Sequence, residues 1–257
     1  MTSVDYKQRA IEQWTADPCG PSARGAAELL EKRREYAPWM AAALDYAGAE
    51  GLAVLDVGCG QGIDLCEYAL VGARVTGVDL TPRHVELARA HLAELGLNGS
   101  VVVGDAEALP FAEHSFDRVS SNGVLHHTPD IMAALREILR VLRTCGRATI
   151  IVYNRGSAHY LIEQVLRRGL LGLGVMREGS MAAVLSSGVE LSSIGARPLV
   201  RVYSKAQLRR LMHAAGFEGV VVRASPLQAR ETAVTRRLSW APPLPVGWYL
   251  IAEGVKP

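Results

Sequence analysis

Apolar residues along this chain follow two alternating rhythms. Runs of strand length stand at 52–57, 73–79, 100–104, 116–121 and 148–153. Between them, apolar residues recur three and four positions apart, the spacing that fills one face of a helix. Thr81 and Pro82 read as an N-cap followed by proline at the first helical position; Val85, Ala88, Leu92 and Leu95 share the next face, and Gly96 ends it. Asp130 caps a second helix with Ile131, Leu135, Ile138 and Leu142 on its inner face, and Gly146 leads into the fifth strand. Strands joined by helices at this rhythm pair in parallel through right-handed crossovers, which predicts an α/β chain with a doubly wound sheet.

The rhythm stops after residue 153. Residues 155–202 hold a predicted helix over 157–168 and a Gly/Ser-rich stretch with no strand before Leu199, an insertion expected to act as a lid. Order returns at Ser204-Lys205-Ala206-Gln207, a capping-box pattern opening a helix with Leu208, Leu211 and Ala215 inward and Gly216 at its close. Strands six and seven are predicted at 220–224 and 248–254, separated by a Pro-rich loop at 241–245. Residues 1–50 precede the first strand, look helical, and carry Tyr6, Trp14, Tyr36, Trp39 and Tyr46, with a Pro/Gly turn at 17–21. They read as a helical cap on a main domain spanning 51–257.

Composition narrows the function classes. With 257 residues and 49% of them apolar, the chain has material for one large core. A net charge of +2 supplies no strong field for nucleic acid or an anionic membrane, and Arg33-Arg34, Arg167-Arg168 and Arg236-Arg237 read as solvated helix faces. The four cysteines lack CxxC spacing, which suits a reducing cytoplasm, and neither a leader nor a membrane-spanning run is expected. No His/Cys/carboxylate cluster has metal-ligand spacing, so no metal is expected.

The chemistry starts at Asp56-Val57-Gly58-Cys59-Gly60-Gln61-Gly62, where strand one runs into three glycines and then a helix start. Glycine lets a ligand lie against the backbone, and the helix amides beyond favour an anionic group. The dinucleotide fingerprint G-x-G-x-x-G fails, because the sixth position is Ile63. An acid closes strand two, Asp79, followed by Leu80; its spacing from the loop suits both hydroxyls of a ribose. Gly104-Asp105-Ala106-Glu107 follows strand three, and Asn122-Gly123-Val124-Leu125-His126-His127 follows strand four.

Taken together, these motifs over about residues 52–153 resemble the class I S-adenosylmethionine-dependent methyltransferases, and the Leu-His-His form resembles the quinone-biosynthesis group. The resemblance implies a Rossmann-like, seven-stranded, mostly parallel sheet. It implies S-adenosylmethionine as cofactor and S-adenosylhomocysteine as product. The cofactor would be held by Asp56, Gly58, Gly60, Gly62, Asp79, Leu80, Asp105, Ala106 and Asn122, with Tyr36 closing from the cap. In that family the acid at Asp105 accepts from the adenine amine. The substrate would be a small, apolar or aromatic molecule methylated on O, N or C. His127, His126 and His159 are the histidines placed by sequence to serve as a base. A nicotinamide oxidoreductase and a non-catalytic S-adenosylmethionine-binding module are the competing readings. Oligomeric state has no signature here.

Overall fold

The computed structural model describes residues 3–19, 23–190, 192–227 and 246–257. Three helices come first, α1 (Ser3–Ala16), α2 (Ala26–Tyr36) and α3 (Trp39–Leu44). The alternating part follows as β1 (Ala53–Val57), α4 (Ile63–Leu70), β2 (Arg74–Asp79), α5 (Pro82–Glu94), β3 (Gly99–Val103), β4 (Phe116–Asn122), α6 (Ile131–Val141) and β5 (Leu142–Tyr153). The chain ends through α9 (Lys205–Ala215), β6 (Glu218–Ala224) and β7 (Tyr249–Val255). The strands form one seven-stranded sheet of order β3-β2-β1-β4-β5-β7-β6. Pairing is parallel from β3 through β5, while β7 runs antiparallel to both β5 and β6. The doubly wound, mostly parallel sheet expected from the sequence is therefore present.

Strand alternation decides which layer each residue feeds. Val54, Val75, Val101 and Ile151 face α2, α4 and α5 in one core. Leu55, Val119, Ile150 and Leu250 face α6 and α9 in the other. Because the chain leaves β1 toward β2 and β3, then returns to β4 on the other side, the carboxyl ends of β1 and β4 flank a crevice.

Two elements differ from the sequence reading by more than two residues. Strand five begins at Leu142, not 148, because α6 ends at Val141 and the chain extends at once, with a register shift between Phe116 and Arg118 absorbing the extra length. The helix expected at 157–168 runs over His159–Leu171 and is wound as a π-helix; a 3.6-residue apolar pattern does not announce that wider winding. The insertion continues through α7 (Gly174–Glu178) and α8 (Met181–Gly188) and packs Tyr160, Leu185 and Val200 with Tyr153 and Trp248. The Pro-rich 241–245 stretch lies outside the described residues, as does part of the 17–21 turn. No helix among the described residues is long and apolar enough to cross a membrane.

The cap is joined to the domain by charge. Arg33 makes two hydrogen bonds to the Asp64 carboxylate, at 3.1 and 3.0 Å, and Arg34 two to Glu67, at 2.7 and 2.9 Å. Arg33 is thus not the solvated residue expected, because its partner carboxylate sits 31 positions away on α4.

Candidate active site

A cavity of about 540 Å³ opens at the carboxyl ends of β1, β2 and β4, roofed by α1, α2 and the insertion. Its floor is the glycine loop. The amides of Gly58 and Cys59 donate to the Val78 carbonyl at 2.7 and 3.1 Å, which draws the loop toward the end of β2. Gly58 has φ +72, and a Cβ there would lie 2.3 Å from Val124 Cγ2, so only glycine leaves both backbone and neighbour in place. Gly58 and Gly60 line the cavity, as do Leu80, Asp105, Ala106 and Asn122. Gly62 does not: it begins α4 at φ +80 and lets that helix close on Ala88 of α5.

Asp56 likewise lies beneath the loop rather than at the cavity. It is 2% exposed and accepts a hydrogen bond from Ser120 Oγ at 3.1 Å. Burial, reinforced by the nearby Asp64 charge, holds its carboxyl well above the ordinary carboxylate range. A group already favouring its neutral form tolerates an amide. Asp56→Asn is expected to leave unfolding free energy at neutral pH within about 1 kcal/mol of the parent. Urea melts at neutral pH check this, and a loss beyond that would show that the ionised form is needed.

Asp79 holds the far end of β2 together. Its Oδ2 accepts from the Gly60 amide at 2.9 Å, and its Oδ1 from the Thr81 amide at 2.9 Å and from His84 Nδ1 at 3.2 Å. Burial opposes a charge on His84, but its hydrogen bond to Asp79, helped by Cys19, outweighs that and raises it to about 10. Asp105 accepts from the Glu107 amide at 2.9 Å and from Lys7 Nζ of α1 at 2.6 Å, and Lys7 also reaches Glu107 at 2.5 Å. Burial costs the Lys7 ammonium, yet the two carboxylates more than offset this and raise its pKa.

The third polar station is one that sequence reasoning missed. Arg33 lines the cavity, and its buried Nε has no hydrogen-bond partner. Asp64, 6% exposed, accepts from Arg33, from Tyr46 Oη at 2.7 Å and from Asn122 Nδ2 at 2.8 Å. Asn122 is thereby oriented by a carboxylate outside its own motif. Tyr36, expected to close from the cap, does line the cavity while staying 53% exposed.

The three histidines separate. His127 lines the cavity; its Nδ1 donates to the Leu199 carbonyl at 2.6 Å, and its Nε2 stands 3.5 Å from Glu190 Oε1. Trp14 of α1 packs edge-on against its ring, with centroids 5.6 Å apart. His126 does not reach the cavity. It is fully buried, neither ring nitrogen has a partner, and burial pushes its pKa well below the ordinary value, which keeps it neutral against Tyr153. His159 also lies outside, beside Trp248 and Gln164, because the π-helix turns it toward the insertion's own core. Cys59 also lines the cavity, and burial pushes its thiol well above the ordinary range.

Glu190 of the insertion completes this end of the cavity and was not visible in the sequence. Tyr153 Oη donates to its Oε1 at 2.6 Å. His126, His127 and Glu190 place one potential ligand atom each within 4.8 Å of one another, a grouping that residue spacing did not suggest. Where α1 ends, Asp17 accepts from the Ser193 amide and hydroxyl at 2.6 and 2.9 Å, joining cap to insertion.

Comparison with known proteins agrees with this geometry. A family described as "Methyltransferase domain" matches residues 55–150. Over 153 residues the chain is 37% identical to the ubiquinone biosynthesis O-methyltransferase of Xanthomonas oryzae pv. oryzae; the match covers 59% of this chain and 60% of that protein, so the chain spans under two thirds of its length. The protein of that name from Chromobacterium violaceum is 32% identical over 176 residues, covering 62% of this chain and 75% of its own. Among solved structures, the methyltransferase complex with the Trm112 methyltransferase activator from Haloferax volcanii shares the fold, with a TM-score of 0.62 and 22% identity over 96% of this chain and 97% of that one. The chain belongs to the class I S-adenosylmethionine-dependent methyltransferases.

Proposed function

We propose that this chain transfers a methyl group from S-adenosylmethionine to a small, largely apolar or aromatic molecule and releases S-adenosylhomocysteine. The observation that carries the reading is the row of three polar stations in one cavity, Asp79, Asp105 and Arg33, along a loop in which Gly58 and Gly60 line the same space. When bound, S-adenosylmethionine supplies a methyl group on a positively charged sulfur, already activated for displacement.

The residues present fit such a group. Gly58 and Gly60 line it without side chains, and Leu80 and Ala106 offer apolar walls. Asp79 is placed to accept from ribose hydroxyls and Asp105 from an adenine amine, the latter shared with or yielded by Lys7. Arg33, with a buried nitrogen lacking a partner, suits the amino-acid carboxylate. Asn122 and Tyr36 border the same space. What the protein contributes is alignment and exclusion of water, through the cap over 1–50 and the insertion over 155–202 acting as a lid on the domain over 51–257.

The acceptor end is lined by Trp14, Tyr153 and Pro129, an aromatic and apolar surface, so the proposed partner is a small molecule rather than nucleic acid or membrane. All four cysteines are unpaired, which suits the reducing cytoplasm we extend the proposal to. The test is calorimetric titration with S-adenosylmethionine, S-adenosylhomocysteine and NADH in parallel. Binding of the two sulfur compounds at about micromolar Kd without NADH is expected. NADH binding alone, or no binding at all, would overturn it.

A further inference from the structure

We infer that His127 and Glu190 form a proton-accepting pair for a hydroxyl acceptor, making the reaction an O-methylation of a phenol or enol. This rests on the methyl-transfer reading above and adds the acceptor atom and the residues that serve it. A carbonyl oxygen only accepts hydrogen bonds, so the 2.6 Å contact to Leu199 requires His127 to carry its proton on Nδ1. Its Nε2 is then the ring's remaining proton-binding atom, and it stands at the cavity 3.5 Å from the Glu190 carboxylate. A proton taken up at Nε2 lies directly against that carboxylate.

Tyr153 fixes Glu190 in that place by donating to the same Oε1, and Trp14 walls the other side of the imidazole. His126, the remaining titratable ring in contact, is buried and neutral and does not compete for charge. The arrangement favours a substrate that arrives with a proton to lose. A neutral amine attacks with its own lone pair and sheds its proton afterwards, so it has no use for a base held ready beforehand; a hydroxyl gains nucleophilicity only as the proton departs.

The step balances as follows in bonds. The acceptor O–H breaks and its proton moves to His127 Nε2, giving an imidazolium stabilised by Glu190. The freed oxygen electron pair forms the new C–O bond to the methyl carbon as the C–S bond breaks and its electrons return to sulfur. The imidazolium then releases the proton to solvent. Glu190 acts through His127 and is a positioning residue; His127 is the catalytic one.

The test uses the full chain with S-adenosylmethionine and three probes: 4-tert-butylcatechol, 4-nitrocatechol and 4-tert-butylaniline. Methylation of the catechol oxygen is expected. His127→Ala should lower kcat on 4-tert-butylcatechol by about 100-fold or more, and Glu190→Gln by about tenfold with Glu190→Asp partly restoring it. Both should leave S-adenosylhomocysteine affinity within about threefold. On 4-nitrocatechol, which is largely ionised at neutral pH and needs no base, the His127→Ala deficit should shrink to about tenfold or less.

A readout independent of turnover is the nitrogen-15 spectrum of labelled histidines in the S-adenosylhomocysteine complex. It should show His127 protonated at Nδ1, with a Nε2 resonance that moves in Glu190→Gln. Methyl transfer to the aniline or to no probe, equal deficits on the two catechols, or a His127 proton on Nε2 alone would each overturn the inference. So would activity lost on chelation and restored by zinc or magnesium, which would make the two histidines and Glu190 ligands instead. If S-adenosylhomocysteine does not bind the parent chain, the failure lies with the methyl-transfer reading and not with this pair.

Discussion

Asp64→Ala is expected to lower the unfolding free energy by about 3–5 kcal/mol, the cost of stranding a buried charge. Asp64 receives two hydrogen bonds from Arg33, one from Tyr46 and one from Asn122, and all of these are lost by the change, leaving Asn122 only its contact to the Met40 sulfur at 3.6 Å. Arg33 keeps its charge throughout, because burial is outweighed by the Asp64 carboxylate. Burial alone would raise the Asp64 carboxyl, yet Arg33, Asn122 and Tyr46 together hold it below the usual range. A carboxyl whose folded pKa is depressed stabilises above its unfolded value of about 3.9, and that contribution is lost as pH falls through the folded value. Near neutrality the stabilisation is fully present. Urea melts followed by tryptophan fluorescence measure it, and Arg33→Met/Asp64→Leu should recover most of the stability, since an apolar pair of similar volume replaces the ions. The double variant should still bind S-adenosylhomocysteine weakly, having lost the guanidinium proposed for its carboxylate. A loss under about 1 kcal/mol for Asp64→Ala would show that Arg33 finds solvent instead.

This hub marks the border of what the sequence makes legible. The glycine loop, Asp79 and Asp105 are read from adjacent residues, because each sits where a strand ends and the strand pattern is local. The floor of the cavity follows from that pattern alone. The roof does not. Arg33 meets Asp64 across 31 positions, Lys7 meets Asp105 across 98, and His127 meets Leu199 across 72. None of these pairs leaves a spacing signature, since their meeting depends on how cap and insertion pack. The histidines show the same limit within one motif: His126 and His127 are neighbours in the chain, but only one points into the cavity, and the turn after β4 decides which. Glu190 stands in a Gly/Ser-rich stretch without apolar periodicity, and nothing local singles it out.

Asp79→Ala is expected to weaken S-adenosylhomocysteine binding by about 1–3 kcal/mol, roughly tenfold to a hundredfold in Kd, through loss of charge-assisted hydrogen bonds. The same carboxylate also receives the Gly60 and Thr81 amides, so its removal loosens the glycine loop and the start of α5 together. His84 supplies a second signature. Its pKa is raised to about 10 by Asp79, helped by Cys19, against burial. A histidine raised on folding contributes stability that is complete below its unfolded value of about 6.5 and is lost as pH rises through about 10. The parent chain should therefore lose stability over that window in urea melts. In Asp79→Ala the carboxylate is gone, burial is opposed by Cys19 only, and the slope should flatten. A variant with unchanged affinity would show that the ribose lies elsewhere along the loop. Reduced affinity with an unchanged slope would keep Asp79 as a ligand while showing that His84 folds in neutral, its Nε2 accepting from the Cys19 amide 3.4 Å away.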